Sequence, residues 1–301
     1  MIGYMHPEYA RSLSAFGTPR ELPRCGGWVL ERQISGFAWQ DAMGCYPLFA
    51  CKDWAQLSLD LEDIGANLVS LALVTDPFGE YDEPYLRQCF KDVVIPFKEH
   101  FIVDLQRPLN DIVCSHHRYY AKKAFRNVSI EECKEPTQFA DEWIMLYANL
   151  IDRHNLKGIK AFSREALARQ LAIPGTVMLR VLHQGIIVGA HIWYVQGEIA
   201  YSHLTALSET GYAQGASYAL YWFAIEHFSG KVRWLDLGAG AGAKNDGMDG
   251  LSEFKRGWST DTRTVYFCGR IFNSDKYAEI VQARGGAPTN YFPAYRKGEF
   301  E

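Results

Sequence analysis

The stretch Leu251-Ser252-Glu253-Phe254-Lys255-Arg256-Gly257-Trp258 sets a lysine between two large apolar rings. A short helix is read over 251–257, and Phe254 and Trp258 frame Lys255 on it. A cation held out of water exerts a stronger field than a solvated one. Lys255 is therefore a candidate for chemistry as well as an ordinary surface lysine beside a packed ring.

Working outward, a glycine-rich loop (238–250) precedes this helix, and a strand at 232–237 precedes the loop. A strand at 263–267 and a helix at 275–283 follow it. Upstream, 213–228 is apolar nearly all round, so it reads as a buried helix. Three strands at 177–183, 186–195 and 198–207 come before that, joined by Gln184-Gly185 and Gln196-Gly197, both hairpin turn signals. A strand at 128–132 and helices at 136–154 and 163–171 open this half, with Pro136 and Ser163 at the helix starts. The order is β-α-α-β-β-β-α-β-α-β.

The first half is less regular, and its first fifty residues are rich in glycine, proline and aromatics. The spacing predicts a strand over 28–34, a helix over 52–63 and a buried strand over 67–74. Asp76-Pro77-Phe78-Gly79 is a turn. A helix is expected over 84–98, a strand over 101–105, and a polar helix over 115–125 capped by Ser115.

A chain of 301 residues buries one large core or two medium ones. No run of about 18 apolar residues exists, so no membrane span is expected. Met1-Ile2-Gly3-Tyr4-Met5-His6-Pro7 lacks the pattern of a secretory leader, which points to a cytoplasmic protein. The seven cysteines include no Cys-x-x-Cys pair, so buried free thiols are expected and no zinc site. A formal net charge of −4 argues against a life spent on DNA or RNA backbones. The dense basic stretch is His116-His117-Arg118 with Lys122, Lys123 and Arg126. It reads as a solvated helix face or as a seat for one small anion, Arg118 being the bidentate partner.

Several short motifs carry a family resemblance. The 251–258 stretch resembles the "L-x-x-F-K-x-x-[FW]" signature of FemAB-like and BioF2-like GNAT proteins. Gly185-x-x-Val188-Gly189-Ala190 resembles their "G-x-x-V-G-a" hairpin. Gly211-Tyr212-Ala213-Gln214-Gly215-Ala216 resembles the loop before their buried helix. Asp236-x-Gly238 resembles their "f-D-x-G" strand end, and Ser115-His116-His117-Arg118 with Lys123-Ala124 resembles their "h-R-x-x-x-k-A" helix. The resemblance implies an α+β GNAT acyltransferase fold in two tandem domains. Residues 1–125 would be a degenerate copy on the acceptor side, and 126–301 the acyltransferase domain.

It also implies roles. Lys255 would sit at the reacting centre and steady the tetrahedral oxyanion. His203 or Asp236 would help deprotonate an amine acceptor. With period two, Tyr201, His203, Thr205 and Leu207 share one strand face. The end of that strand and its loop (Thr205, Leu207, Gly211, Gln214, Gly215 and Ala216) would hold the phosphates of an acyl-CoA, since a helix start offers free amides. His116, His117, Arg118, Phe254 and Trp258 would contact the acceptor, a small amino-sugar, amino acid or peptide-like amine. No metal is implied. The loop departs from the usual acetyltransferase pattern at Tyr212 and Gln214, which puts the donor in question.

Three other readings stand beside this one. FemX-type ligases use an aminoacyl-tRNA donor, which the acidic pI disfavours. Leu235-Asp236-Leu237-Gly238-Ala239-Gly240-Ala241-Gly242 mimics the first glycine motif of S-adenosylmethionine methyltransferases, but too little chain follows it for that sheet. A non-catalytic binding protein on the same fold is the third.

Overall fold

The computed structural model describes residues 1–241, 249–286 and 288–299. Its strands are β1 (Thr18–Leu22), β2 (Gly27–Gln33), β3 (Gln40–Gly44), β4 (Leu68–Val74), β5 (Val93–Asp104), β6 (Ser129–Cys133), β7 (Thr176–His183), β8 (Ile186–Gln196), β9 (Ile199–Leu207), β10 (Trp234–Asp236) and β11 (Asp261–Ile271). The chain forms two compact units, Gly3–Phe97 with Val265–Glu301 and Lys98–Thr264. These cuts differ from the 1–125 and 126–301 division read from the sequence, and the last segment of the chain belongs to the first unit.

In the first unit the strand order is β1-β2-β3-β4-β11. β3 and β4 run parallel, and the other neighbours antiparallel. β4 is buried on both faces up to Leu73, which explains its unbroken apolar run. Helix Leu57–Gly65 packs Leu57, Leu61 and Ile64 into the same core. β1 and β3 escape a sequence reading because Thr-Pro-Arg-Glu-Leu and Gln-Asp-Ala-Met-Gly lack strand formers. The helix expected over 84–98 is a correction: it stops at Cys89, and β5 begins at Val93. Val93, Val94 and Ile95 favour strand, and Pro96 cannot sit inside a helix.

One buried charge anchors this unit. Asp41 on β3 is fully buried and accepts from Arg32 Nε at 3.1 Å, Arg296 Nε at 2.8 Å, Arg296 NH2 at 2.9 Å and Tyr295 Oη at 3.0 Å. Glu299 balances the two arginines.

In the second unit the order is β5-β10-β9-β8-β7-β6. β6 to β9 form an antiparallel meander, β10 runs parallel to β9, and β5 antiparallel to β10. Gln184 and Gly185 both take positive φ, as the tight β7–β8 turn requires. Helix Ala216–Phe228 lies in the core with Val181, Trp193 and Leu235. The single helix expected over 213–228 is broken, because Gly215 turns left-handed (φ +67°) between Glu209–Ala213 and Ala216–Phe228. Helix Ser115–Ala124 is capped by Cys114 and not by Ser115.

The register of β8 against β9 jumps. Ile192 faces Leu204 and Trp193 faces Ser202, so β9 holds one extra residue at His203. This bulge breaks the period of two. Tyr201, His203, Thr205 and Leu207 therefore do not share one face, which corrects the sequence reading. No helix among the described residues is long and apolar enough to cross a membrane.

Candidate active site

The lysine helix, Gly250–Arg256, is set by Asp249. Its carboxylate accepts from the Leu251 and Ser252 amides at 3.0 Å each and from Ser252 Oγ at 2.6 Å. The Ser252 hydroxyl leads in pulling the Asp249 pKa down to about 2. Lys255 leaves this helix inward and is only 8% exposed. Its Nζ donates to the Ala239 carbonyl at 2.6 Å. Among the described residues it meets no second acceptor and no carboxylate in ion-pair reach. An ammonium has three donors, so two remain unspent. Burial lowers its pKa to about 8, while Asp236 and Asp249 pull upward and Lys98 downward. Gly238 keeps space open there, since a Cβ on it would lie 3.2 Å from Lys255 Nζ.

The glycine loop presents carbonyls to this site. Ala239 O holds Lys255, and Gly240 O accepts from Lys98 Nζ at 3.3 Å. β10, between β9 and an antiparallel β5, is not the first strand of a doubly wound sheet. The methyltransferase reading is thereby discarded. The 242–248 part of the expected loop lies outside the described residues.

Asp236, at the end of β10, is buried and accepts from the Gly238 amide at 2.7 Å. Its oxygens lie 2.9 and 3.0 Å from His100 Nδ1 on β5. A carboxylate can only accept, so Nδ1 carries the proton, and in the neutral ring Nε2 then presents a lone pair. Nε2 has no partner among the described residues. Asp236 thus acts on its surroundings through His100. The sequence offered no local signal for His100, since the pairing spans 136 positions.

His203 is placed elsewhere. It stacks on Tyr194 at 4.6 Å, its Nε2 donates to Gln170 Oε1 at 3.2 Å, and burial lowers its pKa to about 3. The bulge gives the site a different histidine. His191 is fully buried, bonds Ser202 Oγ through Nε2 at 2.8 Å and lies 5.1 Å from the Tyr221 ring. Burial first, and Lys255 second, hold its pKa well below the ordinary value. Burial pushes the Tyr221 phenol up to about 12, against the opposing influence of the Ser202 and Thr205 hydroxyls.

The loop residues expected to hold phosphates are mostly committed. The Gly211 amide donates to Ser208 Oγ, Tyr212 to Ser208 O, Gln214 to Thr210 O and Gly215 to Tyr212 O. Gly211 is glycine for packing, because a Cβ there would sit 2.3 Å from the Val188 carbonyl. Leu207 fills the space over Gly189. Ala216 starts the buried helix, and its amide is not spent among the described residues.

The basic helix separates into different roles. His116 is exposed and packs on Tyr120, and Arg118 NH1 donates to Asn110 Oδ1 at 2.6 Å. His117 is buried, 5.0 Å from Trp258, 5.2 Å from Tyr218 and 5.4 Å from Phe254. Trp258 is fully buried and Phe254 half-buried, so these rings clamp the lysine helix.

Residues 115–256 match the family model described as an acetyltransferase (GNAT) domain. No curated protein matches the chain. Among solved structures it is similar to FemX, with 11% identity over 91% of this chain and 93% of that one, at a TM-score of 0.66. It is also similar to L-PGS from Bacillus licheniformis, with 14% identity over 94% of this chain and 98% of that one, at 0.60. A third likeness is the C-terminal domain of an Agrobacterium fabrum protein named for lysylphosphatidylglycerol synthetase, with 14% identity over 85% and 83%, also at 0.60. These are likenesses of fold. The family match makes residues 115–256, just under half of the chain, a GNAT acyltransferase domain. This domain runs from the helix that begins at Ser115 to Arg256, one residue beyond Lys255.

Proposed function

We propose that the chain transfers an acyl group to the amine of a small amino-sugar, amino-acid or peptide-like acceptor. Lys255 steadies the oxyanion that forms when the amine attacks. His100, oriented by Asp236, takes the amine proton through Nε2. The observation that carries this reading is the buried Lys255 ammonium, which among the described residues has one carbonyl partner and two donors unspent. Fixed donors aimed at developing negative charge in a desolvated site commonly supply about 2.7–4 kcal/mol each.

In this reading the donor is an acyl-CoA, with its pyrophosphate at the start of the Ala216–Phe228 helix. The committed amides of Gly211, Tyr212, Gln214 and Gly215 favour a second donor, an aminoacyl ester. The chain would work in the cytoplasm, where either donor is available.

A thermal-shift panel of acetyl-CoA, longer acyl-CoAs, S-adenosylmethionine and charged tRNA separates these. A ligand at 100 times its Kd stabilises the fold by about 2.7 kcal/mol. A shift with an acyl-CoA supports the first donor and a shift with charged tRNA alone the second. A shift with S-adenosylmethionine alone contradicts both. With the donor found, His100→Gln should lower turnover by about 10²–10⁴-fold. Undiminished turnover in a folded variant removes His100 from the mechanism.

A further inference from the structure

Six of the seven cysteines are buried, as expected of free thiols in a core, and Cys114 is exposed. It stands at the N-cap of helix Ser115–Ala124, where the helix dipole favours a thiolate. Its Sγ lies 2.9 Å from His117 Nδ1. The other ring nitrogen, Nε2, lies 3.0 Å from the Phe254 carbonyl. A carbonyl only accepts, so Nε2 bears a proton. In the neutral ring Nδ1 is then a bare lone pair aimed at the sulfur, and the Cys114 S–H donates to it. If the proton crosses, the resulting imidazolium keeps both partners, the thiolate on one side and the carbonyl on the other. Such an arrangement activates a thiol.

The pair is held rigidly. The Cys114 amide donates to Gly257 O at 3.1 Å, and a Cβ on Gly257 would lie 2.2 Å from the His117 ring. Only a glycine there lets the ring approach. The titratable groups around the pair are His116 on its own helix, 5.5 Å from His117 between ring centres, and Tyr218 on Ala216–Phe228, itself stacked on Tyr120. The lysine helix contributes the Phe254 carbonyl.

We propose that Cys114 is a reactive thiol activated by His117 and a site of selective oxidation by hydroperoxides. His117 takes the thiol proton, and the sulfur attacks the distal peroxide oxygen. An S–O bond forms and the O–O bond breaks. The sulfur loses two electrons and becomes a sulfenic acid, and the departing alkoxide takes the proton from His117. The change is transmitted to the catalytic helix, since His117 bridges Cys114 to the residue before Lys255. The reactivity itself does not depend on the role assigned to Lys255.

Neutral pair and ion pair bind the same number of protons, so their ratio is independent of pH between the two macroscopic titrations of the pair. Burial lowers the His117 pKa, so the lower edge of that plateau lies below the ordinary histidine value. An isolated thiol instead gains reactivity about tenfold per pH unit up to about 8.5.

The test is iodoacetamide labelling of the full chain between pH 6 and 8, with peptide mapping. The expected result is an adduct at Cys114 alone, a rate that varies less than about threefold across the range, and a rate at pH 6.5 at least tenfold lower in His117→Gln. A tenfold rise per pH unit in the unaltered chain, equal rates in the two chains, or labelling that spares Cys114 would each overturn the proposal. The unaltered chain's pH profile decides the matter even if His117→Gln fails to fold. One equivalent of hydrogen peroxide with dimedone should then trap sulfenic acid at Cys114. Absence of the dimedone adduct there would overturn the oxidation step.

Discussion

Asp41 in the first unit and Lys255 in the second are both buried charges, and their surroundings treat them differently. Asp41 has two arginines and a tyrosine hydroxyl on its oxygens, with Glu299 balancing the second arginine. Among the described residues, Lys255 has one carbonyl. Removing a charge from water costs several kcal/mol unless partners replace the lost hydration. Asp41 recovers that cost within the fold and serves to tie β2, β3 and the C-terminal segment together. Among the described residues Lys255 does not recover it, and under the proposed function the oxyanion formed in turnover would supply the missing partner. On the proposed function, the matched charge serves architecture and the under-matched one chemistry.

The comparison breaks most readily at Asp41. Asp41→Asn leaves Arg32 and Arg296 with no buried counter-charge and should cost about 3–5 kcal/mol in urea unfolding. The folded fraction should keep its turnover. A loss under about 1 kcal/mol would mean that the network is incidental.

Lys255→Met should do the opposite on both axes. Turnover should fall about 10²–10³-fold, while stability rises by about 1–3 kcal/mol, because an apolar side chain needs no partners. A stability loss with unchanged turnover would make Lys255 a structural residue. The pH dependence has a definite sign. The folded-state pKa of about 8 lies below the ordinary lysine value, so between about 8 and 10.4 the unfolded chain binds more protons than the native one. This group's contribution to stability therefore rises with pH across that window, and Lys255→Met should abolish the rise. Turnover should fall through about pH 8 as the ammonium is lost.

The smallest effect is expected at His203. His203→Gln keeps a side chain able to reach Gln170, so turnover should stay within about twofold and stability within about 1 kcal/mol. A hundredfold loss of turnover would return His203 to the site.

The histidines show what could be read beforehand. The meander and the buried helix were legible because hairpin turns and apolar periods are local. The burial of Lys255 was legible because Phe254 and Trp258 frame it in one short motif. The shared face of Tyr201, His203, Thr205 and Leu207 does not form because a single extra residue in β9 shifts the pleat, and no side chain in that strand announces it. His100 and His191 were invisible because their partners lie on other strands. The 84–98 helix was overextended because the Pro96 signal was outweighed by apolar spacing. Cys114 was grouped with the buried thiols since exposure at a helix cap depends on packing far along the chain.

The most direct test of the central claim is the titration of Lys255 itself, followed by NMR of a lysine side-chain-labelled sample, with Lys255→Met to assign the signal. The under-matched ammonium should titrate near pH 8 and move upward when a negatively charged analogue of the tetrahedral intermediate binds. A midpoint near the ordinary value of about 10.4, unmoved by the analogue, would contradict the account.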